Sequence, residues 1–301
     1  MKRYLLLGGS GFIGSRLMMS LAPENEVVVI GHQPSLDVDL QNVKYKQLDF
    51  VNCEDFSEYV RDVDVVVHLI STIIPSEATN SIALEMNENI KPTLALLRDA
   101  SRLKKRVIFV SSGGTIYGNS ETKNKENSAT NPICNYGIVK LAIEKYLELF
   151  HGYYGLDYRI IRPSNPYSEK VYQNKKQGII PIIIDSIINR RTMRIYGEKQ
   201  VRDYIHIDDL IDGMMAVLNY DGDERIFNIG TGVGYSTEEV IKMIEEGLGK
   251  KLQVELVEAR KCDVYRNVLD VSLIKQETGW GPKITLEEGI KRAINNRLKD
   301  I

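Results

Sequence analysis

Apolar and polar positions follow two different periods along the first half of the chain. Short apolar runs occur at YLLLG (4–8), VVVIG (27–31), VDVVVHLIS (63–71) and RVIFVSS (106–112), with a more polar run at VKYKQLD (43–49). Continuous apolar runs of this length predict strands that are covered on both faces. Amphipathic stretches such as FIGSRLMMSLA and CEDFSEYVRD separate them and predict helices.

The alternation of strand and helix predicts a parallel sheet with right-handed crossovers on both faces. A sixth strand is expected within DYRIIRPSNPY (157–167), and FNIG (227–230) is a candidate for a later one. After residue 167 the alternation stops, and helices are predicted near 208–219, 236–248 and 285–298. We therefore predict an α/β fold with a doubly wound parallel sheet in residues 1–167, later additions near 203–230, and a smaller lobe in 168–301.

A glycine-rich segment, GGSGFIG, directly follows the first predicted strand and opens a predicted helix. Gly9, Gly11 and Gly14 fit G-x-G-x-x-G, and Gly8 also fits a G-x-x-G-x-x-G spacing. Glycine allows a tight turn and lets backbone N–H groups approach a pyrophosphate, while the helix N-terminus adds partial positive charge. In this context the motif predicts a dinucleotide-binding Rossmann domain.

The acidic residue that usually binds the adenosine ribose, about 20 residues after the glycines, is not found at the end of the second predicted strand. Gly31 and His32 stand there instead. No arginine replaces the acid to bind a 2′-phosphate, although His32, Gln33 and Ser35 could hydrogen-bond either form of the ribose. This segment therefore leaves open the choice between NAD and NADP.

Composition narrows the partner classes. The 301 residues are 43% hydrophobic and carry a net charge of −2, which gives no electrostatic reason to expect nucleic acid or a membrane as partner. The three cysteines and four histidines share no metal-ligand spacing, so we expect reduced thiols and no metal. No segment approaches about 18 uninterrupted apolar residues, and we expect a cytoplasmic protein.

Several motifs in one order give the chain a resemblance to a known family. GGSGFIG is followed by SSGGTIYG (111–118), YGIVK (136–140), RPSNPY (162–167), RDYIHIDDL (202–210) and FNIGTG (227–232). The chain resembles the extended short-chain dehydrogenase/reductases, and within them the NAD-dependent nucleotide-sugar epimerases. The resemblance implies NAD as cofactor, with NADP as the alternative. It implies a cofactor site formed by Gly8, Gly11, Phe12, Ile13, Gly14, His32, Asp49, Phe50, Leu69, Ile70, Lys140 and Pro163.

The segment NYGIVK places Tyr136 and Lys140 four residues apart, which puts both side chains on one face of a helix. The resemblance implies that Tyr136 is the catalytic acid and base, and that Lys140 binds the nicotinamide ribose and stabilises the phenolate. The chemistry is reasonable because a tyrosine with an ordinary pKa of about 10 becomes a usable base when cations lie nearby.

The third catalytic position departs from the family pattern. Relatives carry Ser or Thr four residues before the tyrosine of the YG pair, where this chain has Gly113. Ser112 and Thr115 flank it, and we expect one of them to hydrogen-bond the reacting sugar oxygen. Gly114 and Thr115 stand where related dehydratases carry an acidic pair, and the decarboxylases' loop glutamate is also absent, so both of these reactions are disfavoured.

The resemblance also implies a nucleotide-sugar site in the second lobe, formed by Asn165, Arg202, Arg260 and Asp263. The predicted function is epimerisation of a nucleotide sugar, at C4 of a UDP-hexose, through a 4-keto intermediate. An NADPH-dependent nucleotide-sugar 4-ketoreductase and a non-catalytic NAD(P)-binding protein are the alternatives. A homodimer is expected through helices at 79–103 and 130–151.

Overall fold

The structure is a computed structural model that describes residues 1–36, 40–73, 82–169, 178–197, 199–260 and 262–299. Its strands are β1 (Arg3–Leu7), β2 (Glu26–Gly31), β3 (Val43–Gln47), β4 (Val65–His68), β5 (Arg106–Val110), β6 (Tyr158–Pro163), β7 (Asn165–Tyr167), β8 (Thr192–Tyr196), β9 (Val201–His206), β10 (Ile226–Ile229), β11 (Gly234–Ser236), β12 (Gln253–Val257) and β13 (Arg266–Asn267). Its helices are α1 (Phe12–Leu21), α2 (Ser57–Val60), α3 (Ile82–Arg102), α4 (Gly113–Ile116), α5 (Asn135–Tyr154), α6 (Ile179–Ile188), α7 (Ile207–Leu218), α8 (Thr237–Leu248), α9 (Ser272–Thr278) and α10 (Leu286–Lys299). Residues 79–81 of the expected dimer helix lie outside the described residues.

Seven strands form one sheet in the order β10-β6-β5-β4-β1-β2-β3. The pairs from β3 to β6 are all parallel, with Leu5 opposite Val28 and Val66 on either side of β1. The strands β1, β4 and β6 are buried almost throughout, as their continuous apolar runs predict. The doubly wound parallel sheet is confirmed, and the late strand at FNIG is β10, which forms one of its two edges.

The described chain divides into two compact units. The first comprises residues 1–112, 134–162 and 214–227, and the second comprises 113–133, 163–213 and 228–301. In the sequence-based division, residues 113–133 fell in the first domain. The segment joins the second unit because its backbone hydrogen-bonds there: Ser120 N–H donates to Arg266 O (3.1 Å) and Asn124 N–H to Val268 O (2.8 Å).

The first unit is organised around the parallel sheet. Its core contains residues from β1, β2, β4, β5 and β6 together with the inward faces of α3 and α5, including Leu5, Phe109, Leu96, Ile143 and Ile160. Helices α3 and α5 pack against each other on one side of this core.

The second unit contains short sheets around β9. Strand β9 pairs with β11 in antiparallel and with β7 and β13 in parallel orientation, while β8 and β12 form a parallel pair. A core of α6, α8 and α10 residues, with Ile183, Ile244 and Ile290 among them, lies beneath. Cys53, Cys134 and Cys262 form no disulfide with one another. Among the described residues, no helix is both long and apolar enough to cross a bilayer.

Candidate active site

The glycine-rich loop between β1 and α1 has a backbone that other residues could not adopt easily. Gly8 has a φ of +86°, and its N–H donates to Ile30 O at 3.0 Å. A Cβ on Gly14 would lie 2.3 Å from Gly8 O and 2.7 Å from Gly9 Cα. Gly11 is the N-cap of α1 and provides no side-chain cap to its first N–H groups. A tight loop with accessible N–H groups at a helix N-terminus fits the pyrophosphate of a dinucleotide.

The other predicted cofactor residues in the first unit lie at the carboxyl ends of neighbouring strands. Leu69 and Ile70 follow β4, and Ile70 Cγ1 is 3.2 Å from the position of a Cβ on Gly8. His32 and Asp49 are exposed and Phe50 is buried. The Asp49 carboxylate accepts hydrogen bonds from Val51 N–H and the Asn52 side chain. Their roles toward the cofactor remain predictions, as does that of Pro163, the last residue of β6 in the second unit.

Tyr136 and Lys140 lie in the first two turns of α5, as the sequence predicts. Burial raises the pKa of Tyr136 to about 12, and a hydrogen bond with the Ser112 side chain opposes that shift. Ser112 follows β5 by two residues, so the end of the strand brings its hydroxyl to the tyrosine. Without a nearby cationic ligand, Tyr136 is therefore a protonated phenol at neutral pH.

The Lys140 side chain is 4% exposed and passes beneath the tyrosine. Its Nζ donates to Val110 O at 2.9 Å and lies 4.8 Å from the centre of the Phe109 ring and 5.8 Å from that of Tyr136. Burial lowers the pKa of Lys140 to about 7, and the negative charge of Glu144 acts in the opposite direction. The amine is thus close to its midpoint near neutral pH, which makes its charge sensitive to small electrostatic changes.

A buried ion pair lies one helical turn beyond Lys140, and the sequence analysis missed it. Arg162 Nε and Nη2 donate to Glu144 Oε1 and Oε2 at 3.1 and 2.6 Å, and neither residue is more than 3% exposed. Glu144 is four residues after Lys140 on the same helix, which was the available signal. No local pattern in the sequence indicates Arg162 on β6 as the partner of Glu144, because only the packing of α5 on the sheet brings the two residues together.

Thr115 and Asn165 lie in the second unit. Thr115 is 8% exposed, and its hydroxyl has no hydrogen-bond partner among the residues that the structure describes. Asn165 Nδ2 donates to Asp203 O at 2.9 Å, and its Oδ1 is 3.3 Å from where a Cβ on Gly114 would be. Gly114 therefore gives the Asn165 amide the room it occupies.

Arg202 lies on β9 in the second unit, is partly buried, and forms no ion pair with a carboxylate of the described residues. Its guanidinium donates to Val201 O (3.1 Å), to Tyr265 O (3.5 Å) and to the Gln200 side-chain oxygen (3.4 Å). Burial lowers the pKa of Arg202, and the more distant charge of Asp263 opposes this. A partly buried cation held by carbonyl groups fits a site for an anion.

Arg260 and Asp263 form an ion pair with two hydrogen bonds of 2.9 and 3.1 Å. The Arg260 guanidinium also lies 5.0 Å from the centre of the Tyr196 ring at the end of β8. The structure thus pairs Arg260 with Asp263, and the Asp263 charge also acts on the pKa of Arg202. It adds Tyr196, whose only signal in the sequence was an aromatic residue at a strand end.

A cluster of possible metal ligands occurs in the second unit at Glu169, His206 and Asp208. Both ring nitrogens of the buried His206 have partners, since Nε2 is 3.1 Å from Glu169 Oε1 and Nδ1 accepts from Asp208 N–H at 3.3 Å. These contacts account for the cluster as a hydrogen-bonded connection between β9 and α7.

A groove of about 840 Å³ lies elsewhere on the first unit, against α3 and the end of α5. Among its lining residues are Leu94, Ala95, Arg98 and Phe150, and none of the predicted site residues takes part. Its size therefore carries no argument about catalysis.

Comparison with known proteins gives matches over nearly the whole chain. Residues 4–230 match the sequence model of the NAD dependent epimerase/dehydratase family. The chain is 31% identical over 305 residues to the dTDP-4-dehydro-6-deoxyglucose reductase of Escherichia coli, covering 97% of this chain and 96% of the relative. It is 30% identical over 311 residues to the UDP-glucose 4-epimerase of Mycolicibacterium smegmatis, covering 97% of each. The crystal structure of Thermotoga maritima UDP-glucose 4-epimerase with UDP-glucose superposes with a TM-score of 0.90, at 30% identity over 99% of both chains.

Proposed function

Because the chain belongs to the NAD dependent epimerase/dehydratase family, we propose that it is an epimerase that inverts C4 of a UDP-hexose. The observation that carries this proposal is the arrangement of Tyr136, its hydrogen-bonded neighbour Ser112, and Lys140 one turn along α5. An acid/base residue with a neighbouring hydroxyl and an amine suits proton removal from a sugar hydroxyl.

In the proposed reaction the C4 hydroxyl gives its proton to the Tyr136 oxygen while C4 loses hydride, which leaves a 4-keto sugar. Bound NAD supplies the hydride acceptor for this step and the hydride donor for the return. Return of hydride to the opposite face, with the proton from Tyr136, gives the epimer. The charge of Lys140 and of the oxidised nicotinamide would favour the phenolate against the burial that raises the pKa of Tyr136 to about 12.

Ser112 is proposed as the hydroxyl that aligns the reacting oxygen, because its side chain already contacts Tyr136. Arg202, with Asn165, Arg260 and Asp263, is proposed to bind the nucleotide diphosphate. Arg202 is partly buried, and it forms no ion pair with a carboxylate of the described residues, which supports that assignment.

The direct test is Tyr136→Phe. We expect kcat for the interconversion of UDP-glucose and UDP-galactose to fall by about 10²- to 10⁴-fold, because a general acid/base is lost. NADH binding, measured by fluorescence, should persist. Tyr146→Phe removes a hydroxyl from the same helix at a residue packed on the core, and serves as the control. Unchanged turnover in Tyr136→Phe would refute catalysis by this residue.

A second candidate, an NADPH-dependent nucleotide-sugar 4-ketoreductase, is favoured by Gly31 in place of the ribose-binding acid and by the E. coli relative. It would use the same Tyr136 and Lys140 with a 4-keto substrate. Stoichiometric consumption of NADPH with a dTDP-4-keto sugar would establish it. An epimerase would instead convert UDP-sugars with no net change in dinucleotide.

A homodimer through α3 and α5 is also proposed. These neighbouring helices expose Leu84, Ile138, Leu149 and Tyr153 at 55%, 51%, 46% and 76%. An exposed apolar surface on two adjacent helices can pack against the same surface of a second copy. Light scattering of the unmodified protein should give twice the mass of one chain. The variant Leu149→Glu should give the mass of a single chain. A monomer at all concentrations in the unmodified protein would exclude this interface.

A further inference from the structure

The carboxyl end of β2 has an unusual composition at the position of the missing ribose-binding acid. Gly31 is buried and has no side chain, and the direction of its absent Cβ is occupied by two oxygen atoms. The Tyr45 hydroxyl lies 2.9 Å from the Cβ position and the Ser10 hydroxyl 3.1 Å from it. A neutral phenol and a neutral alcohol therefore stand where an acidic side chain would extend.

Tyr45 is fixed in this place by the strand register. It lies on β3 opposite Val29 of the parallel strand β2, two residues before Gly31. Its hydroxyl donates to Gln33 O at 2.6 Å, so its proton is committed to the loop that follows β2. A phenol oxygen that donates its proton still accepts hydrogen bonds through its lone pairs. Tyr45 can thus accept a bond from a ribose hydroxyl, as a carboxylate would.

The surrounding charge differs from that beside a carboxylate. Position 31 carries no carboxylate, and Lys44 and Lys46 flank Tyr45 in the strand and are exposed. Asp37 and Asp39 lie outside the described residues, and the exposed Asp49 carboxylate, two residues after β3, accepts hydrogen bonds from Val51 N–H and the Asn52 side chain. In dinucleotide sites a carboxylate both binds the 2′-hydroxyl of NAD and repels the 2′-phosphate of NADP. At the end of β2 the acceptor function is retained by the Tyr45 oxygen, whereas the repulsion that a carboxylate at position 31 would exert is absent.

We propose that the Tyr45 oxygen replaces the acidic side chain as acceptor for the adenosine ribose, and that the site binds NADP as well as NAD because no carboxylate extends from position 31. The proposal rests on the dinucleotide-binding role alone and is independent of whether the enzyme is an epimerase or a reductase. It makes Gly31 and Tyr45 the residues that determine dinucleotide selectivity.

The first measurement is the binding of NADH and of NADPH to protein stripped of dinucleotide, followed by ligand fluorescence. We expect the two Kd values to lie within about tenfold of each other. The 2′-phosphate should make NADPH binding the more sensitive of the two to added salt. An NADPH affinity more than about a hundredfold weaker than that of NADH would overturn the proposal. Such a preference would mean that a carboxylate of another residue repels the 2′-phosphate. This measurement needs no sugar substrate and no variant.

Two variants then test the residues. Tyr45→Phe should weaken NADH about fivefold, because one neutral hydrogen bond is lost. In the double variant Gly31→Asp/Tyr45→Phe, a carboxylate takes the space that the phenol oxygen leaves. The Kd for NADPH divided by the Kd for NADH should then rise more than about tenfold. Tyr59→Phe removes the hydroxyl of another partly buried tyrosine of the first unit and should leave the affinities for NADH and NADPH unchanged. Equal NADH affinities in Tyr45→Phe and Tyr59→Phe would overturn the role of Tyr45. An unchanged ratio of the NADPH and NADH Kd values in the double variant would overturn the role of Gly31.

Discussion

Arg162 is a buried arginine and Arg202 a partly buried one, and their guanidinium groups have different partners. Arg162, on β6, makes two hydrogen bonds of 3.1 and 2.6 Å to the fully buried carboxylate of Glu144. Arg202, on β9, donates to two backbone carbonyls and one amide oxygen. No ion pair of the described residues includes Arg202.

The difference distinguishes a structural charge from a binding charge. A buried ion is strongly unfavourable unless it is paired and hydrogen-bonded, and the bidentate carboxylate supplies both for Arg162. For Arg202 the compensation is incomplete, and burial lowers its pKa. A cation in that state gains more from an incoming anion than a paired one does. Arg162 is therefore expected to matter for folding and Arg202 for ligand binding.

Removal of one partner of the buried pair should have the largest effect on stability. We expect Glu144→Ala to lower the free energy of unfolding by about 3–5 kcal/mol, because Arg162 is left as an uncompensated buried charge. Urea unfolding followed by circular dichroism measures this. The double variant Glu144→Leu/Arg162→Met should recover most of the loss, since no buried charge remains. A loss below about 1 kcal/mol in Glu144→Ala would show that water reaches the pair.

Removal of Arg202 should have a smaller effect, and on a different quantity. We expect Arg202→Met to weaken UDP binding by about 10- to 150-fold, equivalent to the 1.5–3 kcal/mol of a hydrogen bond to a charged group. Its free energy of unfolding should change by less than about 1 kcal/mol, because no ion pair is broken. Isothermal titration calorimetry with UDP gives the first value and urea unfolding the second.

The control for this comparison is Arg194→Met. Arg194 is an exposed arginine of the second unit that is paired with Glu255 at 2.8 Å. Its loss should change neither UDP binding nor stability appreciably, since exposed pairs contribute little. If Arg202→Met destabilised the protein as much as Glu144→Ala, the distinction between the two arginines would be wrong.

The parts of this molecule that were predictable from sequence have strong local signals. The apolar runs of β1, β2 and β4 and the glycines between β1 and α1 specify the sheet and its first turn within a few residues. The parallel sheet was predicted on these grounds and is confirmed. The epimerase family and the NAD cofactor were predicted from the resemblance carried by several motifs in one order, and both are confirmed. Tyr136 and Lys140 lie together on α5 because the helical period places them there.

The unpredicted parts depend on contacts between residues distant in sequence. Arg162 reaches Glu144 only after α5 packs on β6, and Tyr45 reaches Gly31 only through the β2–β3 register. The assignment of residues 113–133 to the second unit likewise depends on backbone bonds to β13. Each residue has an ordinary local environment in the sequence, so neither composition nor periodicity indicates its partner.

Lys140 extends the comparison to a buried cation that can lose its charge. Burial lowers its pKa from the ordinary 10.5 to about 7, despite the opposing charge of Glu144. Because the unfolded chain keeps this proton up to about pH 10.4, the unfolded state binds more protons than the folded state between those values. The free energy of unfolding should therefore rise with pH above about 7, by up to about 1.4 kcal/mol per unit from this residue.

Lys140→Met provides the test of that slope in the absence of dinucleotide. It should remove the rise between pH 7 and 9 seen by urea unfolding of the unmodified protein, while other titrating groups contribute equally to both. Arg202→Met should leave the slope unchanged, because a guanidinium stays charged throughout this range. Parallel curves for Lys140→Met and the unmodified protein would mean that Lys140 keeps its proton, and that Glu144 offsets its burial more fully than a pKa of about 7 implies.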